Sequence, residues 1–475
     1  MTSARRWNPL GGVALLALLG SCAGNPVAPL RELYGRGEYQ AARDGLIELR
    51  RSDTGNAHVY ALDQSVAELA MGRPSDAEQT LRYARDRLDD LAGKSVGEWL
   101  GAVLLDDRQL DYEGADFEQV IVRALLAVAN LAAGGGDAPA YALQVLERQR
   151  QLIREFADQG EDNPKDDYKL VAFGSWLRGI LAEDDPLKLG TAGEAFERVV
   201  AIEPSFALGH EALERVTSGR HSAPAHGVVH VIALVGRGPF RVASEERVTQ
   251  EVLAIAQVIW ASLRDRVTFP NIAAVEIPAL AFHQDNPSDV QVEVDGTPLG
   301  ATAIVTDVEA TARREFAAMR DWIVARAALR RAFKISITEG LKEAINRPER
   351  EADETRGRRG RGRRGNRSRN ERQADPLVDL GISLGGLLWT ALEQADLRCW
   401  GLLPASFQVM RIEVPTGEHT ITLRAGRAGS SVGAAQSVRV LVRDGFNTYV
   451  IGLVPTLQGG PPPMTNEPLL PPQSL

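Results

Sequence analysis

Val228-Val229-His230-Val231-Ile232-Ala233-Leu234-Val235 separates two parts of the chain that differ in character. The run is almost continuously apolar, which predicts a buried β-strand. Residues 30–218 before it have a helical pattern throughout, and residues 219–227 form a linker of Gly, Pro and short polar residues. Strand and helix patterns alternate after it. The sequence therefore predicts an α+β fold, mainly α, in which an N-terminal helical region precedes an α+β domain at residues 228–454.

The strand patterns after residue 228 occur in two groups that lie far apart in the sequence. Alternation around Val292 and Val294 ends at the turn Asp295-Gly296, and similar alternation returns near Ile412 and Val414. A lone hairpin is marginally stable, so these strands need partners. We expect one β-sheet that joins residues 228–306 with residues 407–454. Residues 307–400 are then a helical-hairpin insertion, with helices at Asp307–Ile345 and Leu377–Asp396.

Shorter signals complete the α+β region. Gly236–Phe240 contains two glycines, but Pro239 removes a backbone donor and no Lys-Ser/Thr follows, so we interpret the segment as a tight turn and not a phosphate loop. Glu245–Val267 has the spacing of an amphipathic helix. Ala273–Phe282 is predicted to be a strand in which Pro278 marks an edge or a bend.

The helical region contains a weak internal repeat. Gly37 and Gly72 are 35 residues apart, as are Ala42 and Ala77, and a tetratricopeptide unit has about 34 residues. Small residues let two antiparallel helices approach closely, and the glycine belongs in a turn. The series Trp176, Ala192, Phe196 and Pro204 has the spacing of a tetratricopeptide helix pair. We predict a degenerate solenoid of four to five helical pairs at residues 30–218, with an irregular helical bundle as the alternative.

The N-terminus has the features of an export signal. Arg5 and Arg6 precede an apolar run that is too short to span a bilayer as a helix, and the run ends Leu19-Gly20-Ser21-Cys22. This ending resembles the lipobox of bacterial lipoproteins, which implies a signal peptide at 1–21, a lipid on Cys22 and a tether at 22–29. An ordinary signal peptide with a stray cysteine is the alternative. Because residue 23 is Ala, the resemblance implies sorting to the outer membrane.

Charge is distributed unevenly along the chain. The net charge is −9, although Arg356–Arg372 contains nine arginines and one glutamate. The remaining chain is therefore strongly acidic, which argues against a nucleic-acid partner. The loop at 348–375 is rich in Arg and Gly, lacks a core-forming composition and is predicted to be disordered. Contact with anionic envelope polymers or lipid is an alternative for this loop, and the Pro-rich tail at 455–475 is also predicted to be disordered.

No residue pattern identifies a catalytic, cofactor or metal site. Gly429–Gly433 matches G-x-S-x-G but lies in a Gly/Ser/Ala hairpin loop, without the strand-to-helix turn that a nucleophile elbow requires. The histidines at 221, 226 and 230 have no spacing that suits one metal site. Cys399 has apolar neighbours and is predicted to be a buried, unreactive thiol. The sequence thus predicts a protein that is not an enzyme and has no cofactor.

One helical stripe is a candidate contact surface. Trp322, Arg326, Arg330 and Lys334 recur at four-residue steps and therefore share one helix face. A structural stripe that pairs with the acidic body is one interpretation. A surface that contacts an anion or a protein partner is the other.

Several segments together resemble a family of exported bacterial tetratricopeptide-type lipoproteins. They are Asp111–Glu118 (DYEGADFE), Gly236–Phe240 (GRGPF), Ala325–Arg330 (ARAALR) and Ala395–Trp400 (ADLRCW) followed by Leu403-Pro404. Val414–Leu423 is also similar to short surface-layer-associated β-modules. The resemblance implies a fold and a location in the cell envelope, but no activity.

These features lead to two functional hypotheses. The first is a lipid-anchored scaffold of the cell envelope that binds envelope proteins through its helical repeats, since repeat solenoids present extended surfaces to partners. The alternative is a cell-surface module that binds a polymer or carbohydrate through its C-terminal β-domain. In both, the membrane is contacted through the lipid on Cys22.

Overall fold

The computed structural model describes residues 25–92, 111–157, 163–263, 269–356 and 395–467. Side chains at 156–157, 261–263 and 337–356 are not part of this description. Cys22, most of the arginine-rich tract and nearly all of the expected helix at Leu377–Asp396 lie outside these ranges. Within them, the chain has an α+β fold that is mainly α, as the sequence predicts.

Helices fill the N-terminal half, and each packs against the next in sequence order. Their bounds are α1 Ala28–Gly35, α2 Tyr39–Ser52, α3 Ala57–Ala70, α4 Pro74–Ala92, α5 Asp116–Ala132, α6 Ala138–Ala157, a 3-10 turn at Pro164–Asp167, α7 Phe173–Ile180, α8 Leu189–Ile202 and α9 Ala207–Thr217. None of the helices in the described ranges combines the length and the apolar composition needed to cross a bilayer.

The weak repeat has a structural counterpart in the first two helical pairs. Gly37 and Gly72 follow α1 and α3 with φ of +83° and +67°, a backbone conformation that favours glycine. Ala42 and Ala77 are fully buried in α2 and α4. The glycines therefore allow the turns and the alanines lie at close helix contacts, although a tetratricopeptide solenoid stays a prediction.

Two β-sheets form most of the C-terminal half. The strands are β1 His226–Val235, β2 Phe240–Arg247, β3 Ala274–Ala281, β4 Asp289–Val294, β5 Thr297–Ala301, β6 Ala303–Asp307, β7 Ser406–Pro415, β8 Gly417–Arg427, β9 Ser430–Val442, β10 Asn447–Val454 and β11 Met464–Thr465. The order is β11-β10-β1-β7-β6 in one sheet and β5-β4-β8-β9 in the other. Strands from 228–306 and from 407–454 therefore pair as predicted, but in two sheets where we expected one.

The two sheets and the helices stack as three layers, with β1 in the middle layer. Side chains of a strand alternate between the two faces of its sheet. Val229 and Val231 accordingly face the four-stranded sheet, whereas Ile232 and Leu234 join the core of the helices. The Phe173 ring of α7 stacks on the Phe407 ring of β7 at 4.4 Å between centroids. The helical region and the five-stranded sheet thus share one hydrophobic core across the expected domain boundary.

A smaller hydrophobic cluster lies to one side of this core. It joins β3 to two helices, α10 (Gln250–Leu263) and α11 (Val308–Arg356), while β2 pairs only with β3 in the described chain. The expectation of a helix over Glu245–Val267 is wrong at its start, because residues 245–247 form ladder pairs with 274–276. The helix expected at Asp307–Ile345 is present and continues to Arg356, giving a length of about 70 Å.

The C-terminal tail is more ordered than its composition suggests. Residues of β11 pair with β10, so that Val450 lies opposite Thr465. The Tyr449 N–H donates to Asn466 Oδ1 at 2.8 Å. The prediction of disorder from residue 455 is therefore wrong for residues 455–467. Pairing with the buried strand β10 orders this segment, although its Pro-rich sequence has little propensity for regular structure. Residues 468–475 lie outside the described chain.

Candidate functional site

Charged and aromatic side chains from distant parts of the sequence meet where the helical region contacts residues 395–402. They come from α1, α3, α5 and the segment before it, β2, and the chain that leads into β7. We call this set the junction cluster; it comprises Arg31, His58, Asp63, Tyr112, Glu118, Arg241, Asp396, Arg398 and Cys399.

Asp63 is the buried carboxylate at one end of the junction cluster. Its side chain is 1% exposed, and Arg31 Nε donates to its Oδ2 at 2.8 Å. The Leu402 N–H donates to its other oxygen at 2.8 Å. Arg31 Nη2 also donates to the Cys399 carbonyl oxygen at 2.5 Å. One carboxylate on α3 therefore holds both α1 and the segment before β7.

Glu118 plays the same part on α5. The Trp400 N–H donates to its Oε1 at 2.8 Å, and the Tyr112 hydroxyl donates to its Oε2 at 2.5 Å. The Ala115 N–H donates to Oε2 as well, at 3.1 Å, which caps the start of α5. Burial raises the pKa of Tyr112 well above its ordinary value, so the phenol remains a donor to the carboxylate.

Two guanidinium groups flank the Tyr112 ring. Arg241 and Arg398 each lie 5.5 Å from the ring centroid, within the range of a cation–π contact. Arg398 Nη2 also pairs with Asp396 Oδ2 at 2.8 Å, and Arg398 Nη1 donates to Asn56 Oδ1 at 2.8 Å. The cluster thus contains three arginines and three carboxylates. Because their charges balance and they pair with one another, these six groups can be buried together.

Cys399 does not have the environment of a nucleophile. A reactive cysteine needs a lowered pKa. Here burial raises the pKa of the thiol, and the Arg31 guanidinium opposes this effect without reversing it. The prediction of a buried thiol is confirmed. The junction cluster therefore has the chemistry of a structural joint, in which each carboxylate is saturated by donors.

A second joint connects the long helix α11 with α5. Glu315 on α11 accepts the Asp116 N–H at 2.9 Å and the Phe117 N–H at 2.8 Å, so it caps the N-terminus of α5. Burial and the nearby Asp116 carboxylate raise the pKa of Glu315 well above its ordinary value. Lys165 pairs with Asp116 at 2.5 Å. The insertion that begins with α11 is therefore fixed to the helical region at its base.

A third joint connects the segment after α7 with β1 and β7. Glu183 is 2% exposed and lies 2.8 Å from His230 Nε2, 3.1 Å from Arg215 Nη2 and 3.8 Å from Arg411 Nε. Burial alone raises the pKa of Glu183, but its three basic neighbours outweigh burial and lower that pKa to about 2. Burial also lowers the pKa of His230, whose ring stacks on Tyr449.

The predicted stripe on α11 is largely covered. Trp322, Arg326 and Arg330 are half-buried, and Lys334 is only 8% exposed. Each of the four has an interaction partner within the chain. The stripe borders the smaller hydrophobic cluster that contains Leu329. These positions favour the structural interpretation, whereas contact with an anion or a protein partner stays a prediction.

The other sequence candidates do not converge on one site. His221 Nε2 contacts Asn447 Oδ1 at 2.8 Å, His226 Nδ1 contacts the Pro224 carbonyl at 3.1 Å, and His230 lies in the third joint. Across the residues that the structure describes, no group of three or more metal-binding side chains gathers. Gly429–Gly433 lies at the turn and on β9 of the β8–β9 hairpin, as predicted.

The sequence alone did not identify the carboxylates that form the three joints: Asp63, Glu118, Glu183 and Glu315. Two of the segments used for the family resemblance, Asp111–Glu118 and Ala395–Trp400, do meet in the junction cluster. The resemblance of these two segments to the lipoprotein family was the one sequence signal that pointed to them. Nothing local in either segment indicates that they touch across 282 residues.

Comparisons with known proteins do not assign this chain to a family. No protein-family model matches the chain, and no functionally characterised protein or solved structure matches it either.

Proposed function

We propose that the protein is a lipid-anchored scaffold of the cell envelope, with the lipid on Cys22 and with envelope proteins as its partners. The observation that carries this proposal is the short connection between the lipobox-like sequence and the folded body. Val27 is 5% exposed and packs with Leu46 and Tyr60, and α1 begins at Ala28. Five residues between Cys22 and α1 span at most about 20 Å.

This connection ends at the junction cluster. Arg31, one turn into α1, is bound to Asp63 and to the Cys399 carbonyl. A lipid on Cys22 would therefore hold the whole body close to the membrane. The arginine-rich tract begins where α11 ends, at Arg356, and so at the end of a helix about 70 Å long. A lipid anchor together with a cationic segment that follows a long helix suits a protein that links envelope components.

The alternative of a carbohydrate-binding β-domain has less support. Ligand sites are usually lined by apolar and aromatic side chains. The strands of the four-stranded sheet, β4, β5, β8 and β9, contain no Phe, Trp or Tyr. Their outward positions instead carry polar pairs such as Arg424 with Glu293. The scaffold is therefore the better proposal for this chain.

Replacement of Cys22 by Ala tests the anchor. We expect the Cys22→Ala protein to lose incorporation of labelled fatty acid. We also expect no mature, processed form of this variant in the outer-membrane fraction. The matched control is Cys399→Ala, which alters the other cysteine and should keep both properties. Acyl labelling that persists in Cys22→Ala, or that is absent from the wild type, would refute the lipid anchor.

Recovery of partners from solubilised envelopes tests the scaffold. We expect the intact chain to retain an envelope protein at a fixed stoichiometry after chemical cross-linking. Retention of a purified envelope polymer, with no protein at a fixed ratio, would favour the polymer-binding alternative. Deletion of the helical region is a poor tool for this test, since the shared core makes loss of folding the expected result.

A further inference from the structure

Residues 455–467 lie along one edge of each of the two large sheets, and we call this segment the strap. Its strand β11 pairs with β10, which is otherwise the end strand of the five-stranded sheet in the described chain. Nearer its start, the Gln458 carbonyl accepts the N–H of Ala434 at 3.1 Å. Ala434 belongs to β9, the end strand of the four-stranded sheet. One segment therefore covers an edge of both sheets.

Short pairing holds the strap to β10. The ladder between β10 and β11 has two residue pairs, at Val450 and Ile451, and the Tyr449 N–H adds a bond to the Asn466 side chain. On its other side, β10 pairs with β1 over eight residue pairs. Parts of a fold that make few backbone hydrogen bonds open at a lower free energy than its central strands. We therefore expect the strap to detach from β10 before the sheet itself opens.

The strand under the strap has no protection of its own against pairing with another chain. Natural sheets protect their edges with charged residues, prolines, bulges or a covering segment. The sequence of β10, NTYVIGLV, contains neither a charged residue nor a proline, and its ladder with β1 has no bulge. By contrast, β5 at the far edge of the four-stranded sheet contains Pro298 and pairs across a bulge. The covering segment is therefore the device that protects β10.

We propose that the strap covers an interaction surface, the edge of β10, to which β10 of a second copy of the chain adds when the strap detaches. This edge already accepts an antiparallel strand, since β11 is antiparallel to β10. Two identical edges can pair in the same sense about a two-fold axis, which joins two five-stranded sheets into one. Because β10 carries no charge, the two copies do not repel each other along this edge. The proposal does not depend on the lipid anchor or on the scaffold function.

Release of the strap tests the proposal. The full chain and a chain that ends at Val454 are purified in detergent, and their protein mass is measured by size-exclusion chromatography with light scattering. We expect the shortened chain to have double the mass of the full chain. Thr465→Pro is a second variant, which keeps the strap but disrupts β11, and it should shift in the same direction as its concentration rises. Pro462→Ala is the matched control, because Pro462 is exposed and lies outside β11, and it should keep the mass of the full chain.

Two further measurements identify the surface that pairs. Hydrogen exchange should show the amides of Tyr449, Val450 and Ile451 as well protected in the shortened dimer as in the full chain, because a second β10 takes the place of the strap. A synthetic peptide of residues 455–467, added in excess, should return the shortened chain to the mass of the full chain. A peptide of the same composition in scrambled order should not.

The outcomes decide for or against the β10 edge. A shortened chain that keeps its native circular dichroism spectrum and the mass of the full chain overturns the proposal. A dimer whose β10 amides lose protection, or that the strap peptide does not dissociate, also overturns it, since another surface then pairs. If the shortened chain does not fold, the mass and exchange of Thr465→Pro decide, and a folded Thr465→Pro chain with the mass of the full chain at every concentration overturns the proposal.

Discussion

Asp63 shows how one residue fastens two parts of the molecule. Its two oxygens serve different partners, since one accepts from the Arg31 side chain on α1 and the other accepts from the Leu402 backbone. A buried carboxylate with its donors in place is tolerated, whereas a buried donor that loses its carboxylate carries a desolvation cost. We therefore expect the fold to be sensitive to the loss of a single carboxylate at a joint.

We expect Asp63→Ala to lower the free energy of unfolding by about 3 kcal/mol, because it leaves Arg31 Nε and the Leu402 N–H without their acceptor. Urea denaturation followed by circular dichroism measures the change. Asp44→Ala is the matched control, since the Asp44 side chain is 58% exposed and its pair with Arg43 lies at the surface. Equal effects of the two substitutions would contradict the role given to Asp63.

Glu183 gives the third joint a dependence on pH. Its pKa is about 2 in the folded chain, below its ordinary value of 4.5, so its ionised form stabilises the fold. This stabilisation is complete above about pH 5 and is lost as the pH falls through the folded pKa. Relative to Glu183→Gln, the wild type should therefore lose about 2 kcal/mol of unfolding free energy between pH 7 and pH 3.

Reversible urea unfolding of both proteins at several pH values measures this difference. Glu203→Gln serves as a control, because Glu203 pairs with Lys169 outside the joint and its side chain is 20% exposed. A gap between wild type and Glu183→Gln that is constant from pH 7 to pH 3 would show that Glu183 does not have a lowered pKa.

At the scale of elements, α11 acts as the connection between the smaller cluster and the helical region. Its first turns reach α5, where Glu315 accepts two backbone N–H groups, and its middle packs on α10 and β3. The first N–H groups of a helix have no partner within that helix, so the carboxyl oxygens of Glu315 on another element stabilise α5 and position α11 at once.

We expect Glu315→Ala to lower the free energy of unfolding by about 1–2 kcal/mol, because the Asp116 and Phe117 N–H groups lose their acceptor. Asp321→Ala on the same helix is the control, since the Asp321 side chain is 52% exposed. Thermal and urea denaturation of both variants give the comparison. Glu315→Ala with wild-type stability would exclude the cap.

Elements with a strong local pattern could be predicted, and their partners in space could not. The continuous apolar run at β1 and the alternation around Val292 and Ile412 indicated buried strands correctly. The strand β2 was missed because its side chains show no clear alternation, and its pairing with β3 decides its conformation. The junction cluster could not be predicted from the sequence, because Glu118 and Trp400 are 282 residues apart and meet only in the folded chain.

At the scale of the whole molecule, the helices and the five-stranded sheet share a core. Trp400 and Phe407 from the C-terminal half are fully buried in the same cluster as Leu62 and Ile121 from the helices. Three polar joints, centred on Asp63 with Glu118, on Glu315 and on Glu183, also connect the two halves of the chain. The segment that connects α9 to β1, which ends two residues earlier than the expected linker because β1 begins at His226, therefore joins two regions that we expect to unfold together, as one cooperative unit.

Native-state hydrogen exchange measured by mass spectrometry tests this shared core most directly. The informative peptides come from α5, in the helical region, and from β1, in the sheet. We expect their slowest amides to exchange with the same free energy of opening and the same dependence on denaturant, since one global unfolding event exposes both. A lower free energy of opening for α5, with β1 still protected, would show that the helical region unfolds by itself and would contradict the shared core.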